Sequence, residues 1–192
     1  MSSTNRGYNR HKTDYYITPL QPIRDFIYQW IVDEEIERPD RLMWLDPCAG
    51  GDKNNQMSYP TIIKEEFDPT IMTIDIREDS KAEIKADYLT EEIQTPKPNI
   101  IITNPPFFLA QEIIEKALED VADGGYVVML LRLNFFGSKA RKPFWDKQMP
   151  TRAYIHNRRL SFTDDGKTDS IEYMHAVWQK GIYPKFTKLS II

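Results

Sequence analysis

Two rhythms of hydrophobic and polar positions alternate along the chain. In "PIRDFIYQWIVDEEI" (22–36) Ile23, Phe26, Ile27, Trp30 and Ile31 recur every three or four residues, which predicts an amphipathic helix. Short apolar runs bounded by polar or turn-forming residues predict strands at "RLMWLDP" (41–47), "TIMTIDI" (70–76), "NIIIT" (99–103) and "GYVVMLLRL" (125–133). Between them "SYPTIIKEEF" (58–67) and "LAQEIIEKALEDVAD" (109–123), the second closed by Gly124, predict helices. "RAYIHN" and "YMHAVWQ" predict late strands, and "RRLSFTDDGKTDSIEYMHAVW" a late hairpin with Asp164, Asp165 and Gly166 in its loop. Strands alternating with helices predict an α/β fold: a mostly parallel central sheet with helices on both faces. The polar "MSSTNRGYNRHKT" (1–13) reads as a flexible arm, leaving 14–192 as one domain.

Composition narrows the class. The 192 residues, 41% hydrophobic and 28% charged, suit one domain with a real core. No apolar run approaches the ~18–20 residues of a membrane span, and the N-terminus lacks a signal peptide's apolar segment, so a soluble, cytoplasmic chain is expected. Cys48 is the single cysteine, and His11, His156 and His175 are scattered, so neither a disulfide framework nor a metal is expected.

Charge is segregated. Between Arg132 and Arg159 stand eight basic residues (Arg132, Lys139, Arg141, Lys142, Lys147, Arg152, Arg158, Arg159) and one acid, Asp146. That net of +7 leaves −11 on the rest of a chain whose total is −4. Such a segment is the footprint of a polyanion partner or an ordinary solvated face.

Candidate chemistry gathers where an α/β sheet binds ligands, at the carboxyl ends of its strands. Those ends read "LDPCAGG", "IDIRED", "KADYL" and "TNPPF". Gly50 and Gly51 allow a sharp turn and close approach of backbone to a ligand. Asp75, ending the second strand, stands where a carboxylate accepts ribose hydroxyls. Asp87 suits an adenine amino group or a helix N-cap. The glycines do not follow G-x-G-x-x-G, so no pyrophosphate cradle is expected, and the set is nucleoside-shaped. Asn104 is followed by Pro105 and Pro106, which fix their own φ and bias the preceding residue to extended backbone, giving a stiff strand exit ahead of Phe107.

In this order "DPCAGG" (46–51), Asp75, Asp87 and "NPPF" (104–107) resemble the motif series of S-adenosylmethionine-dependent amino-methyltransferases with the D/N-P-P-Y/F/W signature. "DYYITP" (14–19) is similar to the Tyr-x-Thr-Pro element of DNA N6-adenine methyltransferases, particularly small phage-type ones. The resemblance covers roughly residues 14–133 and implies a Rossmann-like class I methyltransferase fold with S-adenosylmethionine as cofactor. It implies that Asp46, Pro47, Gly50 and Gly51 face the methionine portion, Asp75 the ribose and Asp87 the adenine, with Thr18 and Pro19 closing over the methionine end. It also implies that Asn104 and Pro105 accept the hydrogens of an exocyclic amine, Pro106 stiffens the turn and Phe107 stacks on the base. Asp52 after the glycines and the longer "DKNNQMSYP" depart from the pattern at the methionine carboxylate. Trp44 and Cys48 read as core packing.

The motif also occurs in RNA adenine and protein glutamine methyltransferases. The Tyr-x-Thr-Pro element and the basic segment favour DNA, with Lys139, Arg141, Lys142, Arg158 and Arg159 as candidate phosphate contacts. Phe144, Trp145 and Tyr154, interleaved there, suit base contacts or core pinning. Arg159 reads as surface charge and Phe162 as core packing, with a place in the target pocket as the alternative. No sizeable target-recognition domain is visible, so loose specificity, a homodimer or a recognition partner, or an RNA read by shape is expected. A catalytically silent binding module is a further alternative.

Overall fold

A computed structural model describes residues 16–162 and 170–192. The 1–13 arm, Asp14 and Tyr15 at the start of "DYYITP", and the hairpin-loop residues Asp164, Asp165 and Gly166 lie outside the described residues. The elements are α1 (Leu20–Asp33), β1 (Met43–Asp46), α2 (Ser58–Glu66), β2 (Thr70–Asp75), β3 (Ile84–Lys85), β4 (Ile100–Thr103), α3 (Ala110–Asp120), β5 (Tyr126–Arg132), α4 (Lys142–Trp145), β6 (Arg152–Ile155), β7 (Tyr173–Gln179) and β8 (Lys188–Ile191).

Among the described residues these strands form one sheet in the order β3-β2-β1-β4-β5-β7-β6-β8. The first five run parallel, β7 is antiparallel to both β5 and β6, and β8 is parallel to β6. The chain builds outward from β1 to β3, then returns to the other side of β1 as β4. The order therefore reverses between β1 and β4, and a crevice opens there at the carboxyl ends. Pairing of Leu45 with Ile101 brings Asn104, just past β4, beside the loop that leaves β1.

The strands read as unbroken apolar runs because both sheet faces are covered. Trp44, Ile100, Ile102, Val128, Leu130 and Tyr154 point to one face, under α1 and α2. Leu45, Ile101, Val127, Met129, Leu131 and Ala153 point to the other, under α3, Phe144 and Trp145. That period-two split is what a strand's pleat requires. Trp44 is wholly buried, as expected of core packing.

Element ends differ from the sequence reading for identifiable reasons. α1 stops at Asp33 rather than residue 36, because Glu35 takes a left-handed φ of 50° and Ile36 N–H bonds back to Ile31 O at 3.0 Å. α3 ends at Asp120 rather than residue 123, because Val121 turns extended and buries its side chain. β3 and β8 were not anticipated. No helix among the described residues is long and apolar enough to cross a membrane.

Candidate active site

The crevice at the switch point is lined by five strand-end and loop segments, together with Gln56, Ser58 and Tyr59 at the start of α2 and Leu109 and Ile113 at α3. The loop after β1 supplies Pro47, Cys48, Ala49, Gly50 and Gly51; the end of β2 supplies Asp75, Ile76 and Arg77; the segment after β3 supplies Asp87, Tyr88 and Leu89. The exit of β4 supplies Asn104, Pro105, Pro106 and Phe107, and the approach to α1 supplies Tyr16, Ile17 and Thr18. Most of the expected site thus meets in one place. Two expected residues stand apart: Pro19 caps α1 and Asp46 lies beneath the crevice, and neither is in its lining.

The loop after β1 is held by its own surroundings. Asp75, 7% exposed, accepts Gly50 N–H at 2.7 Å through one oxygen and Arg77 N–H at 2.8 Å through the other. Each oxygen keeps a lone-pair direction for another donor. Gly50 O in turn accepts the Ser80 hydroxyl at 2.6 Å. Gly50 and Gly51 have φ of 66° and 71°, and a Cβ on Gly51 would sit 2.8 Å from Met57 Cγ, so the glycine serves the turn itself. Asp52 accepts from Asn54 N–H and Asn55 N–H at 2.8 and 3.0 Å, folding the longer entry to α2 into a compact turn.

Buried beneath this loop, the Asp46 carboxyl has its pKa pushed up to about 7 by desolvation, which Thr103 and then a hydrogen bond from Cys48 N–H at 3.2 Å only partly offset. Cys48 lines the crevice as well as packing on the core, and burial raises its thiol pKa. Asp87 is exposed; it accepts Leu89 N–H at 3.0 Å and Thr90 N–H bonds its carbonyl at 2.9 Å. That is a turn, so the N-cap alternative for Asp87 does not apply.

The β4 exit is the less satisfied side. Thr18, 3% exposed, accepts Asn104 Nδ2–H at 3.0 Å, which fixes the amide and leaves Oδ1 buried with no partner. Pro106 spends its carbonyl on Leu109 N–H at 2.9 Å, whereas the Pro105 carbonyl meets no donor among the described residues. A buried orphan acceptor costs roughly 1–3 kcal/mol, so it is a place where a ligand donor fits. The Phe107 ring lies under the Arg132 guanidinium at 4.3 Å and meets Tyr173 at 5.9 Å; Tyr173 in turn meets Phe162 at 4.8 Å.

Tyr59, Ile76 and Tyr88 escaped the sequence reading, which met Tyr16 only within "DYYITP" and Arg132 only in the count of charge. Ile76, 65% exposed although apolar, directly follows the ribose-type aspartate, and that pairing was the available signal. Tyr59 lines the crevice while its hydroxyl meets His175 Nε2 at 2.8 Å, and His175 Nδ1 meets His156 Nε2 at 2.9 Å. The two histidines are therefore not scattered but joined in the core, both held neutral by burial, His156 down to about 4.

The basic segment does not form one patch. Arg152 is drawn to the opposite end of the sheet, where it pairs with Glu34 and Asp33 of α1. Arg141 folds back on Phe135, 4.0 Å over the ring, and donates to Phe135 O at 3.1 Å. Lys142 pairs with Asp146 and Arg159 with Glu172 at 3.4 Å, both on the surface. Lys139 and Arg158 are exposed. Phe144, Trp145 and Tyr154 are buried in the core rather than offered to a base.

No family model matches the chain, and no curated protein matches it. Solved structures do. A type I restriction-modification methyltransferase subunit from Streptococcus thermophilus aligns with a TM-score of 0.67 and 12% identity, over 92% of this chain and 47% of that one. A candidate class I S-adenosylmethionine-dependent methyltransferase from Listeria monocytogenes aligns at 0.64 and 14%, over 92% and 65%. A candidate RNA methyltransferase from Pyrococcus horikoshii aligns at 0.61 and 15%, over 94% and 95%. The chain thus spans about half to two-thirds of the length of the first two and nearly all of the third. At these identities the likeness is one of fold, and it gives this chain the Rossmann-like α/β fold of class I methyltransferases.

Proposed function

We propose that the chain transfers a methyl group from S-adenosylmethionine to the exocyclic amino group of adenine in DNA. The observation that carries the reading is the Asn104 amide, its Nδ2 held by Thr18 and its buried Oδ1 left unpaired beside the Pro105 carbonyl. The crevice suits the cofactor: Asp75 offers free lone-pair directions to ribose hydroxyls, Asp87 an exposed carboxylate to the adenine amino group, and Ile76 and Leu89 apolar surface to its ring. S-adenosylmethionine supplies an electrophilic methyl group on a sulfonium.

The chain's own residues supply position and charge. An exocyclic amine is a poor nucleophile because its lone pair is delocalised into the ring. When Asn104 Oδ1 and Pro105 O accept its two hydrogens, the nitrogen is turned towards the methyl group and the positive charge it gains is stabilised. Phe107 stacks on the base, worth about 1–3 kcal/mol, which offsets part of the few-kcal/mol cost of flipping it out of a duplex. Gly50 and Gly51 let backbone approach the methionine portion.

An RNA adenine is the second reading, favoured by the candidate RNA methyltransferase whose length this chain nearly matches. Labelled S-adenosylmethionine offered with duplex DNA, single-stranded DNA, total RNA and protein extract separates the readings. N6-methyladenine in DNA that disappears in Asn104→Ala supports the proposal. Label in RNA or on glutamine overturns the substrate, and no label despite cofactor binding favours a silent binding module.

A further inference from the structure

β8 is the outermost strand of the sheet and has β6 as its one neighbour among the described residues. Lys188 N–H donates to Thr151 O at 3.1 Å and Ile192 N–H to Ile155 O at 2.9 Å, so these residues turn their main-chain groups inward. Successive residues of a strand face opposite ways. Leu189 and Ile191 therefore present their N–H and C=O outward, as an open ladder.

Their side chains are open too. Pairing of Leu189 with Ala153 and Ile191 with Ile155 places them on the sheet face that α3 and Trp145 cover further in. Ala153 is 2% exposed beneath that cover, but Leu189 and Ile191 are 60% and 61% exposed beyond it, and Phe186, on the approach, is 83% exposed. Natural edges avoid an open ladder joined to an uncovered apolar face. Lys188, the charge nearest to blunting this edge, projects from the other face.

We propose that β8 is a self-association edge, at which a second copy of this chain pairs antiparallel about a two-fold axis through Ser190. Antiparallel pairing needs residues with outward main-chain groups opposite one another, and this register sets Leu189 against the partner's Ile191 and Ile191 against the partner's Leu189. The same register puts apolar side chains opposite apolar ones on one face, which cross-strand pairing favours. A slip by one residue sets outward groups against inward ones. Leu189, Ile191 and Phe186 supply the apolar surface of the contact, and so short an edge fits a reversible dimer rather than a permanent one. Because β8 runs parallel to β1–β5, the antiparallel partner carries its crevice at the opposite edge of the joined sheet. The inference rests on the edge alone and not on the proposed reaction.

The test is sedimentation of the full chain over a range of concentrations, with three variants. The parent chain should pass from one to two copies as concentration rises. Ile191→Pro removes an outward N–H without touching the β6 ladder and should remain single at concentrations where the parent is mostly paired, with an unchanged circular dichroism spectrum. Ser190→Cys should cross-link under mild oxidation, because directly opposed residues lie ~4.5 Å apart at Cα, within a disulfide's span. Leu189→Cys, not self-opposed, should cross-link at least tenfold less. A parent that stays single, with Leu189 and Ile191 amides exchanging freely, leaves the edge to another protein and overturns the proposal. A dimer that survives Ile191→Pro, or Ser190→Cys chains that do not cross-link, overturns it equally.

Discussion

The two walls of the crevice are built on opposite plans. On the β1–β2 wall each of these polar groups already has a protein partner: Asp75 holds two backbone amides and keeps a lone-pair direction on each oxygen, Gly50 O holds Ser80, and Asp52 closes its own turn. On the β4 wall Asn104 Oδ1 is buried and unpaired, and Phe107 is supported by Arg132 and Tyr173. A satisfied wall is rigid and can bind a ligand without rearranging, whereas an orphan acceptor stores a cost that a correctly placed donor relieves. The first plan suits a cofactor site and the second a site that acts on what enters it.

The largest test of that contrast is Asn104→Ala. Loss of an electrostatic partner to a reacting group costs about 10²–10³ in rate in the cases measured. We expect methyl transfer to fall by at least that much, with cofactor affinity by calorimetry within about threefold of the parent. A fall in cofactor affinity as large as the fall in rate would remove the distinction between the walls.

Asp75→Ala should do the reverse. It strands Gly50 N–H and Arg77 N–H in a nearly buried place, where each lost acceptor costs roughly 1–3 kcal/mol before water compensates. Stability should drop by about 2–3 kcal/mol in urea unfolding, and cofactor affinity should drop with it. A variant that loses affinity with stability intact would show that the carboxylate serves the ligand alone.

How much of this was legible follows from what each feature depends on. The helices, the main strands and the Asn-Pro-Pro exit are local: they rest on spacing, proline and glycine within a few residues, and they appear close to where the sequence puts them. β3 has two residues in the polar "KAEIKAD", and β8 lies in "YPKFTKLSII", where the alternation of Lys188, Leu189, Ser190 and Ile191 is only four residues long and its apolar face is exposed. Neither can be seen until the neighbouring strand is in place. The charge of 132–159 could be counted, but not that Arg152 would cross to α1 or Arg141 turn inward. His156 and His175 read as unrelated, although β6 and β7 pair Tyr154 with His175 and so bring the rings together. Register, not composition, makes such contacts.

That core pair opposes Asp46 in acid, and the opposition gives a third test. His156 titrates near 4 in the folded chain against 6.5 when free, so the unfolded chain takes up the proton first as pH falls. Stability is therefore lost between pH 6.5 and about 4, by roughly 3 kcal/mol at ~1.4 kcal/mol per unit. Asp46 titrates at about 7 against 3.8, so here the folded chain protonates first and gains relative stability over nearly the same window. His175 is held neutral by the same burial and adds a second proton that the unfolded chain takes up first, so the parent should still lose stability below pH 6.5, at about 1.4 kcal/mol per unit. Asp46→Asn removes the compensating term and should lose stability about twice as steeply below pH 6.5 in urea titrations, while a flat curve in that variant would show that the histidines are not buried neutral.

The smallest effect expected is at Ile76, and it isolates what the satisfied wall still lacks. In the free chain this side chain is 65% exposed at the lip of the crevice, between Asp75 and Arg77, so it contributes little to the core. A ligand ring laid on it would bury that apolar surface, worth about 1 kcal/mol for one or two methylene equivalents. Ile76→Ala should therefore weaken cofactor binding roughly fivefold and leave the melting temperature of the free protein unchanged. If melting falls while binding holds, Ile76 belongs to the fold, and the cofactor wall ends at Asp75.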